Sequence, residues 1–114
     1  MAKQGLGASD QDLEQLISLF RLLADKTRLN ILLLLGGGEK NVTTICEHLK
    51  LPQPTVSHHL GLLRMSNVIA NRRLGKQVFY SLNGRVEATI PNSLQIDVEK
   101  FAVKIASIDA LAKG

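Results

Sequence analysis

Apolar positions recur at helical spacing near the start of the chain. Leu13, Leu16, Ile17, Phe20 and Leu23 or Ala24 share one face. Ser9-Asp10 can cap this helix, and Asp10, Asp12 and Glu14 suit the positive end of its dipole. The pattern predicts a first helix over about residues 9–24. Asp25 then reads as a break and a second N-cap. Leu29, Leu32, Leu33 and Gly36 follow along one face, and Ile31, Leu34 and Leu35 widen it. A helix apolar nearly all round belongs at the centre of a core. Gly36-Gly37-Gly38 ends it.

Thr43 or Thr44 opens a short third helix, TTICEHL, and LPQP makes a turn. A fourth helix follows over about residues 53–65, with Pro54 suited to its first turn. VIANRRL and QVFYSL read as two short strands around Gly75-Lys76, and Val78, Tyr80 and Leu82 alternate to one side. The pattern weakens after Asn83-Gly84. Beyond Pro91, Leu94, Val98, Phe101, Ile105, Ile108 and Leu111 or Ala112 predict a last helix over about residues 93–113. The expected fold is mainly α with a small β-hairpin: about five helices plus a two-stranded wing, in one domain, 1–114. Two short helices joined by a tight turn and followed by a basic hairpin make a winged helix-turn-helix.

The fourth helix has a definite phase. With Gln53 at 0° and about 100° per residue, Val56, Leu60 and Leu63 cluster near about 305°. His58 falls near about 140°, facing away from that direction, and His59 near about 240°, on the margin of the apolar face. Pro54, Ser57 and Gly61 also lie on the outward side. Adjacent histidines invite a metal reading, but a helical metal pair normally sits at i, i+4. His59 is therefore expected to be structural, with a ring nitrogen bonded to backbone or phosphate. His58 is expected to be an outward polar group. Gln53 can bond adenine, Thr55 offers a methyl group to thymine, and Ser57 can bond phosphate; Thr55 and Ser57 can equally cap the helix.

Charge sharpens the picture. The net charge is +4, yet residues 1–47 and 87–114 each carry one more acid than base. Residues 48–86 hold Lys50, Arg64, Arg72, Arg73, Lys76 and Arg85 and no acid. Such a block suits a polyanion. Arg72, Arg73 and Lys76 lie on the expected hairpin, where they can reach a DNA backbone or a minor groove.

Several classes are not expected. The longest apolar run, ILLLL, is far shorter than the ~18 residues a membrane span needs. MAKQGLGASD lacks the apolar region of a signal peptide, and one cysteine, Cys46, fits a reducing cytoplasm. No nucleophile–base–acid set stands at a recognisable spacing, and GGG precedes EKN and not a phosphate-binding helix start.

LADKTRLNILLLL, LKLPQPTVSHHLGLLRMSNVI and RRLGKQVFYSL, in this order, resemble the ArsR/SmtB family of winged-helix repressors over about residues 16–83. The resemblance implies a homodimer whose first and last helices pair across a two-fold axis. Each recognition helix would then enter a major groove of an inverted repeat in double-stranded DNA. Carried over by position, Gln53, Thr55, Ser57 and His58 would face base edges and nearby phosphates. Arg72, Arg73, Lys76 and Gln77 would be wing contacts, and Arg28 would buttress the fold or touch phosphate. Arg28 apart, these residues together with Pro54, His59 and Arg64 of the fourth helix form the expected DNA-facing set.

The family's usual metal sites are not matched. The cysteine-bearing box in the third helix falls on Asn41, Val42, Thr43 and Thr44, with no thiolate. The last segment has Asp97, Glu99 and Asp109 but no histidine. No metal or other cofactor is expected. Cys46 reads as a small buried hydrophobe and His48 as a surface residue. Two other readings remain: a ligand-, metal- or redox-responsive sensor of the same fold that uses Cys46 or an unrecognised site, and a protein-interaction module. The identity of any small-molecule inducer is open.

Overall fold

The computed structural model of the protein describes residues 7–88 and 93–109. Helix α1, Asp10–Leu23, opens on a capping box. Ser9 Oγ accepts from the Asp12 N–H at 3.1 Å, and Asp12 Oδ2 accepts from the Ser9 N–H at 3.0 Å. Helix α2, Lys26–Leu35, is capped by Asp25, whose Oδ2 accepts from the Arg28 N–H at 2.9 Å. The left-handed turn after it comes at Gly38, with φ of 124°. Strand β1, Lys40–Asn41, follows. Asn41 Oδ1 then accepts from the Thr44 N–H at 2.8 Å and starts α3, Val42–Leu49. Lys50, at φ of 58°, turns the chain into α4, Gln53–Met65.

Strands β2, Ile69–Leu74, and β3, Gln77–Leu82, form the wing hairpin. At its tip Gly75 takes φ of 64°, a conformation that side chains with a Cβ rarely adopt. Strand β1 pairs with the far edge of β3, Lys40 opposite Tyr80 and Asn41 opposite Phe79, so the sheet order is β1-β3-β2. The wing is thus a three-stranded sheet and not the two-stranded one expected. A two-residue strand carries no periodicity, so β1 could not be seen in the sequence.

The core gathers Leu19 and Leu23 of α1, Ile31, Leu32 and Leu35 of α2, Ile45 of α3, and Val56, Leu60 and Leu63 of α4. Val68 and Ile69 close it beneath the wing. The nearly uniform apolarity of α2 is explained by its position between α1, α3, α4 and β3.

The last segment overturns an expectation. No helix begins at residue 93. Strands β4, Val86–Glu87, β5, Ser93–Val98, and β6, Phe101–Ala106, form a second antiparallel sheet in the order β4-β5-β6. Pro91, and residues 110–113 of the expected helix with Leu111 and Ala112, lie outside the described residues. The cause is geometric. A hairpin turning at Glu99 and Lys100 pairs Val98 with Phe101, Ile96 with Val103 and Leu94 with Ile105. Those partners are three, seven and eleven residues apart, the spacings of one helix face. Ile96 and Val103 decide between the two readings. In a helix Ile96 would lie about 200° from Leu94, whereas in a strand both point to one side. Four of the six inward residues (Ile96, Val98, Val103 and Ile105) are β-branched, which favours strand.

Candidate nucleic-acid interface

Helix α4 divides as its phase predicts. Val56, Leu60 and Leu63 are buried, and Gln53, Pro54, Thr55, Ser57, His58, Gly61 and Arg64 are exposed. The helix starts after Pro52 with no side-chain cap, so neither Thr55 nor Ser57 is its cap. Uncapped N–H groups at a helix start suit an anion. A Cβ added at Gly61 meets nothing within 4 Å, so packing places no demand on that glycine. Its smallness keeps the outward face low.

The two histidines differ in kind. Their ring centroids are 5.5 Å apart in an edge-to-face arrangement, with His58 exposed and His59 half-buried. His59 Nδ1 lies 3.2 Å from Arg28 Nη1 and 3.7 Å from Asp25 Oδ2. Arg28 Nε also donates to the Leu22 carbonyl at 2.6 Å. His59 therefore ties α4 to the α1–α2 junction through a side chain, where a backbone or phosphate partner was expected. Arg28 buttresses the fold. The Asp25 carboxyl is held below its ordinary value, first by the Arg28 N–H and then by the nearby charges of Arg28 and His59.

On the wing, Arg73 and Lys76 are exposed, and Lys76 sits in the turn. Arg72 is engaged. It grips Glu39 with two parallel bonds, Nε at 2.7 Å and Nη2 at 2.8 Å, and lies 5.0 Å from the centroid of the Phe79 ring. Hydrogen bonding to Arg72 lowers the Glu39 pKa, and the same bonds raise that of Arg72. Gln77 Oε1 accepts from Asn41 Nδ2 at 3.1 Å, which links the wing to the start of α3. Arg64 Nε donates to Asn71 Oδ1 at 3.0 Å, which fixes the end of α4 to β2.

A block without acids in sequence is therefore not without acids in space. Glu39 and Asp25, both outside residues 48–86, reach into it. Nothing local in the sequence signals either contact, because each depends on how distant elements pack. Arg85 also leaves the expected basic surface: its Nη2 donates to the Ser66 carbonyl at 2.9 Å, while its Nε is buried without a hydrogen-bond partner.

Cys46 is half-buried, less enclosed than expected. With Asn41, Glu47, Gln53, Lys76 and Gln77 it lines a cleft of about 350 Å³ between α3, the start of α4 and the wing. His48 is exposed, as expected. Among the described residues no three His, Cys, Asp or Glu side chains gather closely enough to hold a metal ion, and no helix is long and apolar enough to cross a membrane.

Fold and surface together define a winged helix-turn-helix domain with an outward polar helix face beside a basic wing. Comparison with known proteins agrees. Residues 25–70 match the family model for bacterial regulatory proteins of the arsR family. The transcriptional repressor SdpR of Bacillus subtilis is 41% identical over 69 residues, covering 60% of this chain and 77% of that one. The arsenical resistance operon repressor of Escherichia coli is 47% identical over 73 residues, covering 63% and 62%. A homodimeric winged helix-turn-helix DNA-binding domain of a possible ArsR-family regulator from Mycobacterium bovis superposes with a TM-score of 0.60 at 32% identity, covering 74% and 77%. The chain belongs to the ArsR family of transcriptional regulators.

Proposed function

We propose that the chain is a homodimeric, sequence-specific DNA-binding repressor. The observation that carries this reading is the two-faced α4. Val56, Leu60 and Leu63 anchor it in the core, so Gln53, Thr55, Ser57 and His58 stand outward together, beside Arg73 and Lys76 on the wing. A helix so presented fits a major groove about 12 Å wide. Arg64, Arg72 and Gln77 position the helix end and the wing through the bonds described above, and His59 sets the tilt of α4. The dimer is supported by α1, on which Leu13, Ile17 and Phe20 remain 44%, 40% and 50% exposed. Three large apolar side chains in one exposed stripe call for a partner. In a dimer, paired α4 helices read half-sites roughly 34 Å apart. Gel-shift titration of the protein's own promoter against a scrambled duplex tests the reading. Equal affinity for both at physiological salt would overturn it.

A thiol-based response is the second reading, favoured by the position of Cys46 in the cleft that Gln53, Lys76 and Gln77 share. A ligand or modification there would press on both the recognition helix and the wing. Full repression together with full release in a Cys46→Ser variant removes it.

A further inference from the structure

Among the described residues, strand β6 has one neighbour, β5, and no strand pairs with its other edge. Its inward residues continue the apolar face of β5 without closing it. Leu94, Ile96 and Val98 are only 1%, 0% and 3% exposed, whereas Phe101, Val103 and Ile105 opposite them are half-buried. The edge carries no proline, and its register with β5 runs unbroken through six pairs, so no bulge twists it away. Lys104 is its one charge.

Helix α1 supplies the second observation. With Leu16 at 0°, the inward flank of Leu16, Leu19 and Leu23 lies at about 335°, and Leu13, Ile17 and Phe20 lie between about 40° and 100°. The opposite flank, Gln15, Ser18 and Leu22, meets Arg85 and Val98 in a cavity of about 300 Å³. Arg85 leads into β4 and Val98 ends β5, so those two strands border that flank. With the order β4-β5-β6, the sheet extends from there toward the flank of Leu13, Ile17 and Phe20.

We propose that β6 pairs antiparallel with β6 of a second copy about a two-fold axis at Val103, joining two three-stranded sheets into one of six. The inference rests on the homodimer reading and specifies its interface. Isologous pairing needs self-complementarity, and of the registers that keep most of the strand paired, one has it. Centring on Lys104 sets two lysines opposite each other, and centring on Ala102 sets Lys104 opposite Lys100. Centring on Val103 sets Val103 opposite itself, Phe101 opposite Ile105 and Ala102 opposite Lys104. Apolar residues then meet on the inner face, and no like charges meet on the outer one.

Ala102 is exposed and lies across from Asp97 on β5. Ala102→Lys therefore gains an opposite charge within its own hairpin but meets Lys104 of the second copy twice. Sedimentation equilibrium should show the dimer dissociation constant raised on the order of tenfold at low salt, with the loss largely relieved at high salt. Independently, Val103→Cys in a Cys46→Ser background should form a covalent dimer under mild oxidation, because directly paired residues lie within disulfide reach. Ile105→Cys, whose opposite position is Phe101, should not. If the parent is dimeric yet Val103→Cys does not cross-link, or Ala102→Lys dimerises as tightly as the parent, the β6 pairing is overturned and the homodimer reading stands. A parent that stays monomeric at every concentration overturns both.

Discussion

His58 and His59 are neighbours in sequence and lead separate lives. His59→Ala removes a half-buried partner of Arg28 and should lower stability by about 1–2 kcal/mol, read as a lower melting temperature, and weaken binding to all duplexes alike. His58→Ala should melt like the parent and lose discrimination between operator and scrambled DNA. Identical behaviour of both variants to the parent would refute the division. Glu39 is a second residue whose role comes from its partner. Glu39→Gln releases one arginine per subunit toward phosphate. DNA affinity should rise at low salt, and the salt dependence should steepen by about one unit for each arginine recruited. An unchanged slope would mean that Arg72 does not reach phosphate. Asp25 gives a pH test. Its folded pKa is depressed, so its contribution is complete above the ordinary value of 3.8 and is lost as pH falls through the lower folded value. Asn also caps helices but does not titrate in this range. The parent's lead in melting temperature over Asp25→Asn should therefore shrink below about pH 4. A gap constant down to pH 2.5 would show that the charge contributes nothing.

At the scale of elements, α1 to α4 and the wing hairpin β2–β3 were legible because each satisfies a period and a punctuation signal. Ser9 and Asp25 cap their helices as read, whereas α3 is capped by Asn41 and begins at Val42, not at Thr43 or Thr44. The last segment was misread because Leu94, Val98, Phe101 and Ile105 satisfy two geometries at once. Its turn, Glu99-Lys100, also lacks the Asn-Gly or Asp-Gly signature of a tight hairpin, although Glu99 takes φ of 54°. Ile96 is the residue that separates the readings. It is fully buried in the hairpin and would lie on the outer face of a helix. Ile96→Ala should cost about 2–4 kcal/mol in denaturant unfolding, as core truncations do. A cost within about 0.5 kcal/mol, the range of surface substitutions, would favour the helix.

At the scale of the whole molecule, the proposed recognition face and the proposed dimer face sit on different elements: α4 and the wing for the first, α1 and the second sheet for the second. The bonds of Arg28 and His59 join the two, since they bridge the α1–α2 junction to α4. A dimer with Lys76 on phosphate in each subunit should release two counterions through that residue. Lys76→Gln should accordingly flatten the slope of log affinity against log salt by about two units. No change in slope would take Lys76 off the DNA.

The sequence by itself determined the helix-turn-helix, the phase of α4 and the place of the basic wing. Those features follow from local periodicity, capping chemistry and charge, which each short segment carries on its own. Only the tertiary structure decided that Glu39 holds Arg72, that His59 meets Arg28, that β1 joins the wing and that the last apolar segment is a hairpin. Each of these is a contact between segments distant in sequence, or a choice between two geometries with the same spacing. Packing against α1 and the core settles the last of these, because there a buried Ile96 is worth more than any local preference.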